Sequence, residues 1–475
     1  MATAPAGSPA PSPGPSELGW DLLLACVAGY ILTAVGRVHQ LFPILEVIRP
    51  AIVTGLLGIT LYLADQRGPR RLSLLWFGTT KWLGALLVLM ALSVPGALLT
   101  GNSFDLVVNN FLKTVLMYLV IAGAVRGIRD VERLAGAYLL GAAAYASVVL
   151  SRFDVGAGDA WRLGRLYYYD ANDFATFAVT AMPLGLYFVH AGRRPRVRLL
   201  AAAAIAVLAV AFVRSGSRGG FVALMAMGGY VVLRYTAVAL RWRLSALALV
   251  GLVLVGTASD TYWRQMETIL SDSDYNHTEE SGRLQIWRRG IGYMLEHPIL
   301  GVGPNNFGAA EGTLSPFAAR QQFGHGVRWN APHNSFVQVG AELGVPGLVF
   351  FVAIIASAFT VLRRSRKGDG IVADVRGSPA ELTQALTASL IGFVVGAFFL
   401  SLAYSEMLYT LIALVAGLYK LGADDARQGR VRPAGVSVTA APSGYWAHAR
   451  RNHEGAKWPR HAGCRSSRPD SSRMH

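Results

Sequence analysis

Residues 343–368 read LGVPGLVFFVAIIASAFTVL followed by RRSRKG. From Leu343 to Leu362 there is no charged side chain. As a helix, that length crosses the roughly 30 Å hydrocarbon core of a bilayer. Arg363, Arg364, Arg366 and Lys367 follow at once, the positive flank that marks the cytoplasmic end of a span. Outward from this segment, apolar runs recur at about 19–36, 46–64, 82–99, 104–124, 131–150, 173–191, 198–213, 219–236, 244–258, 383–403 and 405–421. With 343–362 they make about twelve spans of bilayer-crossing length. Arg49 and Pro50 interrupt the second, and the ninth is short.

Composition agrees with this reading. The set AVILMFWYC makes up 53% of the 475 residues and charged residues 15%. With glycine added and tyrosine removed, the apolar share is about 60%, against roughly 45–50% in soluble proteins. This excludes intrinsic disorder and argues against a soluble enzyme. The expected fold class is an all-α polytopic membrane protein with one large external loop containing amphipathic helices. Cys26 and Cys464 lie at opposite ends and give neither a disulfide framework nor metal-ligand spacing.

The net charge of +16 is informative through its placement. Connections after even-numbered spans hold Arg67, Arg70, Arg71 and Lys81, then Arg126, Arg129 and Arg133, then Arg193, Arg194, Arg196 and Arg198, then Arg241 and Arg243, then the cluster from Arg363 to Arg376. The short connections after the third and eleventh spans hold none. This is the positive-inside pattern with both termini cytoplasmic. A nucleic-acid binder, which a charge of +16 alone would suggest, is excluded because membrane topology already accounts for the charge. Residues 1–17, rich in Ala, Pro, Ser and Gly and without a basic start, read as a disordered cytoplasmic leader rather than a signal peptide. Residues 18–421 form the membrane domain. Residues 422–475 form a basic tail of net charge +6 that reads as disordered. The tail is either a contact for anionic lipid headgroups or a solvated segment with no role.

Three segments then face outward: 151–172, 214–218 and a long loop at about 259–342. Positive-inside bias makes arginines there unexpected. Arg214 and Arg218 flank Ser215-Gly216-Ser217 in a short turn, where free backbone N–H groups and a following helix start would favour an anion. The competing reading is two arginines snorkelling at the interface. Ser281 suits an N-cap for an amphipathic helix Gly282–Glu296, with Leu284, Trp287, Ile291, Met294 and Leu295 on one face. That face would lie on the bilayer or on the bundle. Arg283 then sits in the first turn, where a cation opposes the helix dipole unless an anion binds there. Its competing reading is a surface arginine offset by Glu279 and Glu280.

Near the end of the loop, Pro332-His333-Asn334-Ser335 enters the next span. A histidine at this polar break suits a general base near neutral pH; the competing reading is structural. Pro332 and Asn334 also suit a helix start. Gly301-Val302-Gly303-Pro304-Asn305-Asn306 departs from a nucleotide loop at Asn306 and Pro304 and reads as a turn at the membrane surface. Asp170-Ala171-Asn172-Asp173 lacks the glycine and distal glutamate of a calcium loop; Asp170 and Asn172 read as caps of the sixth span. Tyr167-Tyr168-Tyr169 reads as an interfacial aromatic belt or a platform for sugar rings. With no His-Glu-x-x-His pattern and no Cys/His cluster, no catalytic metal and no cofactor are expected.

Taken together, several short motifs resemble the O-antigen ligase and polymerase family. They are Tyr169-Asp170-Ala171-Asn172-Asp173-Phe174, Ser217-Arg218-Gly219-Gly220, Gly282-Arg283 to Trp287, His297 to Phe307, His333-Asn334-Ser335-Phe336-Val337-Gln338 and Gly344-Val345-Pro346-Gly347. The resemblance covers roughly residues 20–420, with order and spacing in agreement; the tail beyond Gly422 is unlike the family. It implies a glycosyltransferase at the outer face of the bacterial inner membrane that takes a glycan from undecaprenyl diphosphate. In ligases the acceptor hydroxyl belongs to the lipid A–core of lipopolysaccharide, in polymerases to another lipid-linked repeat, and in related enzymes to a protein serine or threonine. The family's essential external arginines and histidine fall by motif on Arg218, Arg283 and His333. Arg214, Tyr169, Asn172 and Asn334 are further candidates for substrate binding. One dominant external loop favours a ligase over a polymerase. A transporter of lipid-linked sugars is the alternative of another class. Transporters often carry internal repeats and midplane polar sites, whereas here no repeat is evident and the polar candidates gather at one surface.

Overall fold

A computed structural model describes residues 19–152, 162–163, 169–271, 279, 282–321, 331–368 and 378–427. Among these residues there are helices and no strand. In a bilayer core every backbone N–H and C=O needs a partner within the protein, which helices supply locally. Ten helices are long and apolar enough to cross a membrane: Ile44–Ala64, Gly78–Gly96, Thr100–Ala124, Ile128–Arg152, Ala171–Ala191, Pro195–Ser215, Leu240–Thr257, Ser335–Ser365, Pro379–Ala397 and Glu406–Ala423. The chain is a multi-pass membrane protein.

The count is ten rather than twelve because two expected spans are shorter helices. Leu22–Tyr30 passes into a wider π-helical stretch, Ile31–Val35, and stops where Gly36 meets Gly141; a Cβ on Gly36 would lie 2.7 Å from the Gly141 Cα. Arg218–Arg234 is 17 residues long. The break at Arg49 and Pro50 is real: Arg49 adopts a left-handed conformation between helices Pro43–Ile48 and Pro50–Ala64. The last helix continues past Gly422 to Arg427. The expected leader 1–17 and the rest of the expected tail lie outside the described residues.

Burial sorts the helices. Ala171–Ala191 and Pro379–Ala397 are each 78% buried over their most apolar stretch and form the centre, whereas Ile44–Ala64 at 11% and Leu240–Thr257 at 6% form the rim. Rim leucines such as Leu56, Leu63 and Leu252 are exposed, as side chains against lipid must be.

The helix that carries the apolar run Leu343–Leu362 is broken. Gly344 sits at φ +67° inside Ser335–Gly368, with Pro346 two residues on. The turn His297–Asn306 fills the break. Val302 and Gly303 donate their N–H groups to the carbonyls of Ala341 and Glu342 at 2.9 and 3.0 Å, and Val345 donates to Pro298 at 2.9 Å. A Cβ on Gly301 would lie 2.3 Å from the Glu342 carbonyl carbon, so no larger residue fits. Buried Glu342 accepts from the Tyr404 hydroxyl at 2.9 Å. The same turn is tied to an earlier helix pair: Ser93 Oγ donates to Leu300 O and Ser103 Oγ to Pro304 O, at 2.7 and 2.8 Å. Read from sequence as a turn, this segment is also the knot that fixes the broken helix.

The eleventh span, expected at 383–403, ends at Ala397, and Phe398–Ser405 is a non-helical connection. Its apolar residues imitate the end of a span because they pack inward: Leu400, Leu402 and Ala403 are buried.

Candidate functional site

Four helices begin close together, each with its own cap. Asp170 caps Ala171–Ala191 by accepting from the N–H groups of Asn172 and Asp173, both at 2.7 Å. Ser217 caps Arg218–Arg234 by accepting from Gly220 N–H at 3.1 Å. Gly282 precedes Arg283–Glu296. Asn334 caps the helix from Ser335 by accepting from Phe336 and Val337 N–H at 2.9 and 3.1 Å. Helix N-termini carry partial positive charge and unpaired N–H groups, so their convergence favours an anion.

The expected cap Ser281 lies outside the described residues, and the helix starts one residue later than expected, at Arg283. Of the face expected on this helix, Leu284, Ile291 and Leu295 are exposed, whereas Ile286, Gly290 and Tyr293 are buried. Ile291 and Leu295 therefore point away from the bundle, Trp287 and Met294 of the same stripe are half-buried, and a second face, not singled out in the sequence, holds the helix. Gly290 marks that contact; a Cβ there would lie 2.4 Å from Val337 Cγ1. Arg289 grips buried Glu311 through Nη2 at 2.6 Å and Nε at 2.9 Å, and Tyr293 donates to the same carboxylate at 2.8 Å.

Arg218 and Arg283 line one cavity of about 230 Å³. Its other walls are mostly apolar and include Ile269, Leu284, Trp287, Phe398 and Phe399. Arg218 Nη1 donates to Thr268 Oγ1 at 2.8 Å. Thr268 follows the helix Asp260–Glu267, which is pinned to the Arg218 turn by Gln265 Nε2 donating to Gly216 O at 2.7 Å. Gly219 must lack a side chain because its Cβ would lie 2.7 Å from Phe399 Cβ.

His333 stands beside this cavity without lining it. Trp287, a cavity wall, donates its indole N–H to Pro332 O at 2.9 Å. His333 has φ +45°, a region that few non-glycine residues occupy, histidine being with asparagine and aspartate among those enriched there. Its own N–H donates to Ser401 Oγ at 3.0 Å. Ser335 ties the same segments again, donating to Leu400 O at 2.7 Å and accepting from Leu402 N–H at 2.8 Å. Strained backbone held by surrounding bonds is a mark of functional positions. Burial and the nearby Arg283 charge push the His333 imidazole below the usual histidine range, with Asp170 acting in the opposite sense. Both of the first two effects favour the neutral ring.

The remaining candidates are placed as follows. Arg214 is half-buried in the last turn of Pro195–Ser215, and its carbonyl accepts from Leu163 N–H at 2.7 Å. Asn172 lies in the first turn of its helix, and its side-chain oxygen accepts from Arg162 Nη2 at 3.1 Å. Arg162 also donates to Ser215 O at 2.6 Å, joining two of the four helix starts. Asn334 is a buried cap. Tyr169 is buried rather than at an interface; its hydroxyl donates to Val35 O at 2.7 Å, and its ring packs on Tyr145 and Phe177. Tyr167 and Tyr168 lie outside the described residues. Among the described residues, no three His, Cys, Asp or Glu side chains gather to hold a metal ion.

Sequence reasoning missed Thr268, Ser401, Phe398 and Phe399. The phenylalanines were hidden inside an apparent span, and single hydroxyl residues carry no pattern. Residues 202–352, about a third of the chain, match the sequence profile of O-antigen ligase. No curated protein matches the chain.

Proposed function

Because residues 202–352 match the O-antigen ligase profile, we propose that this membrane protein transfers a glycan from a polyprenyl diphosphate, undecaprenyl diphosphate in bacteria, to an acceptor hydroxyl. The observation that carries this reading is the pair Arg218 and Arg283 on one apolar cavity beside His333. The anion-favouring end of the cavity suits a diphosphate, and its apolar walls suit the first carbons of the attached lipid.

In the reaction, His333 takes the proton of the acceptor hydroxyl, and the acceptor oxygen attacks the anomeric carbon. The bond from that carbon to the diphosphate oxygen breaks, its electron pair leaves with the diphosphate, and configuration inverts. Arg218 and Arg283 stabilise the developing charge. Guanidinium groups suit this because they stay charged and bind phosphate oxygens in pairs. Donors aimed at developing charge in a water-poor site give a factor of about 10²–10³ each. No metal and no cofactor enter this scheme. Arg214, Asn172 and Asn334 support the site through the turns they hold. The positive-inside distribution supports a location in the bacterial inner membrane, with both termini cytoplasmic and the site facing the periplasm.

The acceptor we favour is the lipid A–core, which makes the protein a ligase in lipopolysaccharide assembly, because one long loop dominates the site face. A second lipid-linked repeat, or a protein hydroxyl, are the other acceptors of the same chemistry. The deciding experiment supplies purified protein in nanodiscs with a polyprenyl-diphosphate-linked glycan and lipid A–core, and follows both glycolipid product and free polyprenyl diphosphate. Joint appearance of the two is expected. Translocation of intact donor without diphosphate release would establish a transporter instead, and elongated lipid-linked glycan would establish a polymerase.

A further inference from the structure

The helix Arg283–Glu296 supplies Arg283 to the cavity, and its remaining sides are clearly sorted. Its 14 residues make a rod about 21 Å long. At about 100° per residue, Leu284, Ile291 and Leu295 fall within about 40° of one another, and all three are exposed. Ile286, Gly290 and Tyr293 form the buried side, nearly opposite. Gln285 and Glu296 mark a third, polar side. Trp287 and Met294 lie on a fourth, turned to the bundle. The Trp287 ring packs edge-on against Phe398 at 5.3 Å, and a Cβ on Gly340 would lie 2.8 Å from Met294 Sδ.

Its attachments lay this helix across the ends of the spans rather than along one of them. It packs beside Ser335–Leu343, the short arm before the break at Gly344, where a Cβ on Gly290 would lie 2.4 Å from Val337 Cγ1. One end of that arm is held by Ser335 to Leu400, just past the end of Pro379–Ala397. The other is held through the His297–Asn306 turn to Ser93 and Ser103, near the ends of Gly78–Gly96 and Thr100–Ala124. The helix itself starts at the cavity beside Arg218, the first residue of Arg218–Arg234, and stops at that same turn. Both of its ends therefore lie at one end of the bundle, where spans leave the hydrocarbon.

The exposed stripe runs on into a surface that faces lipid. Ile299, just past the helix, is exposed. Pro298 O accepts from Val345 N–H at 2.9 Å, which sets Ile299 beside Val345. Val345, Val349 and Val352 are exposed on the uncharged part of the span Ser335–Ser365, where a membrane helix meets acyl chains. Exposed Arg288 borders the stripe towards the polar side. Apolar side chains on one side of a helix and a basic one at their edge suit a helix lying in the plane of a leaflet.

We propose that Arg283–Glu296 is an interfacial helix, with Leu284, Ile291 and Leu295 set into the lipid leaflet on the site side and Arg288 at its phosphates. Such helices reach about 5–10 Å into the boundary between headgroups and acyl chains. The placement deepens the glycosyl-transfer reading above, and its consequence for substrate rests on that reading. Arg283 is held at the depth of the lipid phosphates, where the diphosphate of a membrane-anchored polyprenyl donor also lies. Leu284 belongs both to the stripe and to the cavity wall, so the cavity is reached from the lipid side and the donor does not leave its leaflet.

The test uses the full-length protein with Cys26→Ala and Cys464→Ser. Ile291→Cys, Leu295→Cys, Gln285→Cys and Glu296→Cys are each labelled with a nitroxide and followed in nanodiscs by power-saturation electron paramagnetic resonance. Oxygen is the lipid-soluble probe and a nickel chelate the water-soluble one. Oxygen accessibility is expected to exceed nickel accessibility by about threefold or more at the Ile291 and Leu295 positions, with the order reversed at Gln285 and Glu296. Transfer from a polyprenyl-diphosphate-linked glycan is measured alongside. Ile291→Asp with Leu295→Asp is expected to lower kcat/KM for that donor about tenfold, since a misplacement of about 1 Å costs up to about 100-fold. Ile291→Leu is expected to keep the wild-type value. Nickel-dominated accessibility at Ile291 and Leu295 overturns the inference, because the stripe then faces water. Protection from both probes also overturns it, because protein then covers the stripe. In either case, wild-type formation of glycolipid and free polyprenyl diphosphate leaves the transfer reading in place. Wild-type kcat/KM in the double variant overturns the claim that this lipid contact sets the depth of Arg283. Oxygen-dominated labels in a protein without transfer activity remove the transfer reading and keep the lipid contact.

Discussion

The two ends of the helical bundle differ in where some of their arginines lead, although Arg289, on the helix that carries Arg283, also closes on a buried carboxylate, Glu311. At the end where Ile128–Arg152 begins, arginines close on carboxylates. Arg70 pairs with Asp21 and Asp65. Asp130, with only 2% of its side chain exposed, holds Arg126 at 2.8 Å and Arg133 at 2.7 Å. Nearby carbonyls are closed by buried Lys420, whose Nζ donates to Gly123 O and Val125 O at 2.8 and 2.7 Å. The far ends of the central helices are joined by His190 to Glu381 at 2.8 Å. At the other end, Arg218 and Arg283 face a cavity, Arg218 bonds a neutral hydroxyl, and His333 holds a left-handed backbone. At the first end the arginines meet buried carboxylates, whereas at the second two arginines border one mostly apolar cavity.

The strongest way to break this contrast is to remove the cavity charges. Arg283→Ala and His333→Ala are each expected to lower transfer by about 10³-fold or more, while detergent-extracted protein keeps its thermal transition within a few degrees. Wild-type turnover by either, or loss of folded protein in both, would place these residues with the scaffold. Arg218→Lys keeps the charge but loses the paired fork; a fall of about 10- to 100-fold in kcat is expected, read from steady-state kinetics with the donor varied.

A steric change sharpens the comparison further. Gly219→Ala adds one carbon against Phe399 and displaces the wall of the cavity without touching a charged group. Activity is expected to fall about three- to tenfold, in line with the sensitivity of reactions to small misplacement. The pH profile follows from the lowered proton affinity of His333. The base works when neutral, so activity should be level through neutral pH and fall in acid with a midpoint below about 6.5. A midpoint above 7 would argue against His333 as the base. The smallest effect on chemistry belongs to the opposite end. Asp130→Ala takes a buried carboxylate away from half-buried Arg126 and Arg133, with Asp21 still paired to Arg126, and should cost about 1–3 kcal/mol of stability, seen as a lower unfolding temperature. The kcat of the molecules that remain folded should stay within about twofold, because no cavity group has moved.

Much of the membrane architecture is legible in the sequence, since span length and the flanking charges are imposed by the bilayer itself. Two residues that border the cavity are legible for a related reason: in the topology read from the sequence, Arg218 and Arg283 fall where positive-inside bias disfavours arginine. What escaped reading depends on packing between distant segments. Phe398 and Phe399 have the composition of a span and the job of a wall. Ile286, Gly290 and Tyr293 hold a helix whose more apolar stripe faces outward. Tyr169 stands in an aromatic run that suggests an interface, and only the fold shows that its hydroxyl reaches Val35. Arg162 and Ser401 act through single bonds across the bundle, and no periodicity announces such bonds.

The bond from His333 to Ser401 also sets an order of events during synthesis. Domains form from their N-terminal parts as the chain emerges. The turn that fills the break at Gly344 is made before the broken helix, so that joint can close as soon as the helix appears. The segment that holds His333 in its left-handed backbone, and that contributes Phe398 and Phe399 to the cavity, is nearly the last part of the membrane domain to be made. A nascent or truncated chain ending before Phe398 carries Arg218, Arg283 and His333 without the piece that brings them to order. The cavity is therefore complete only when almost the whole membrane domain has been made.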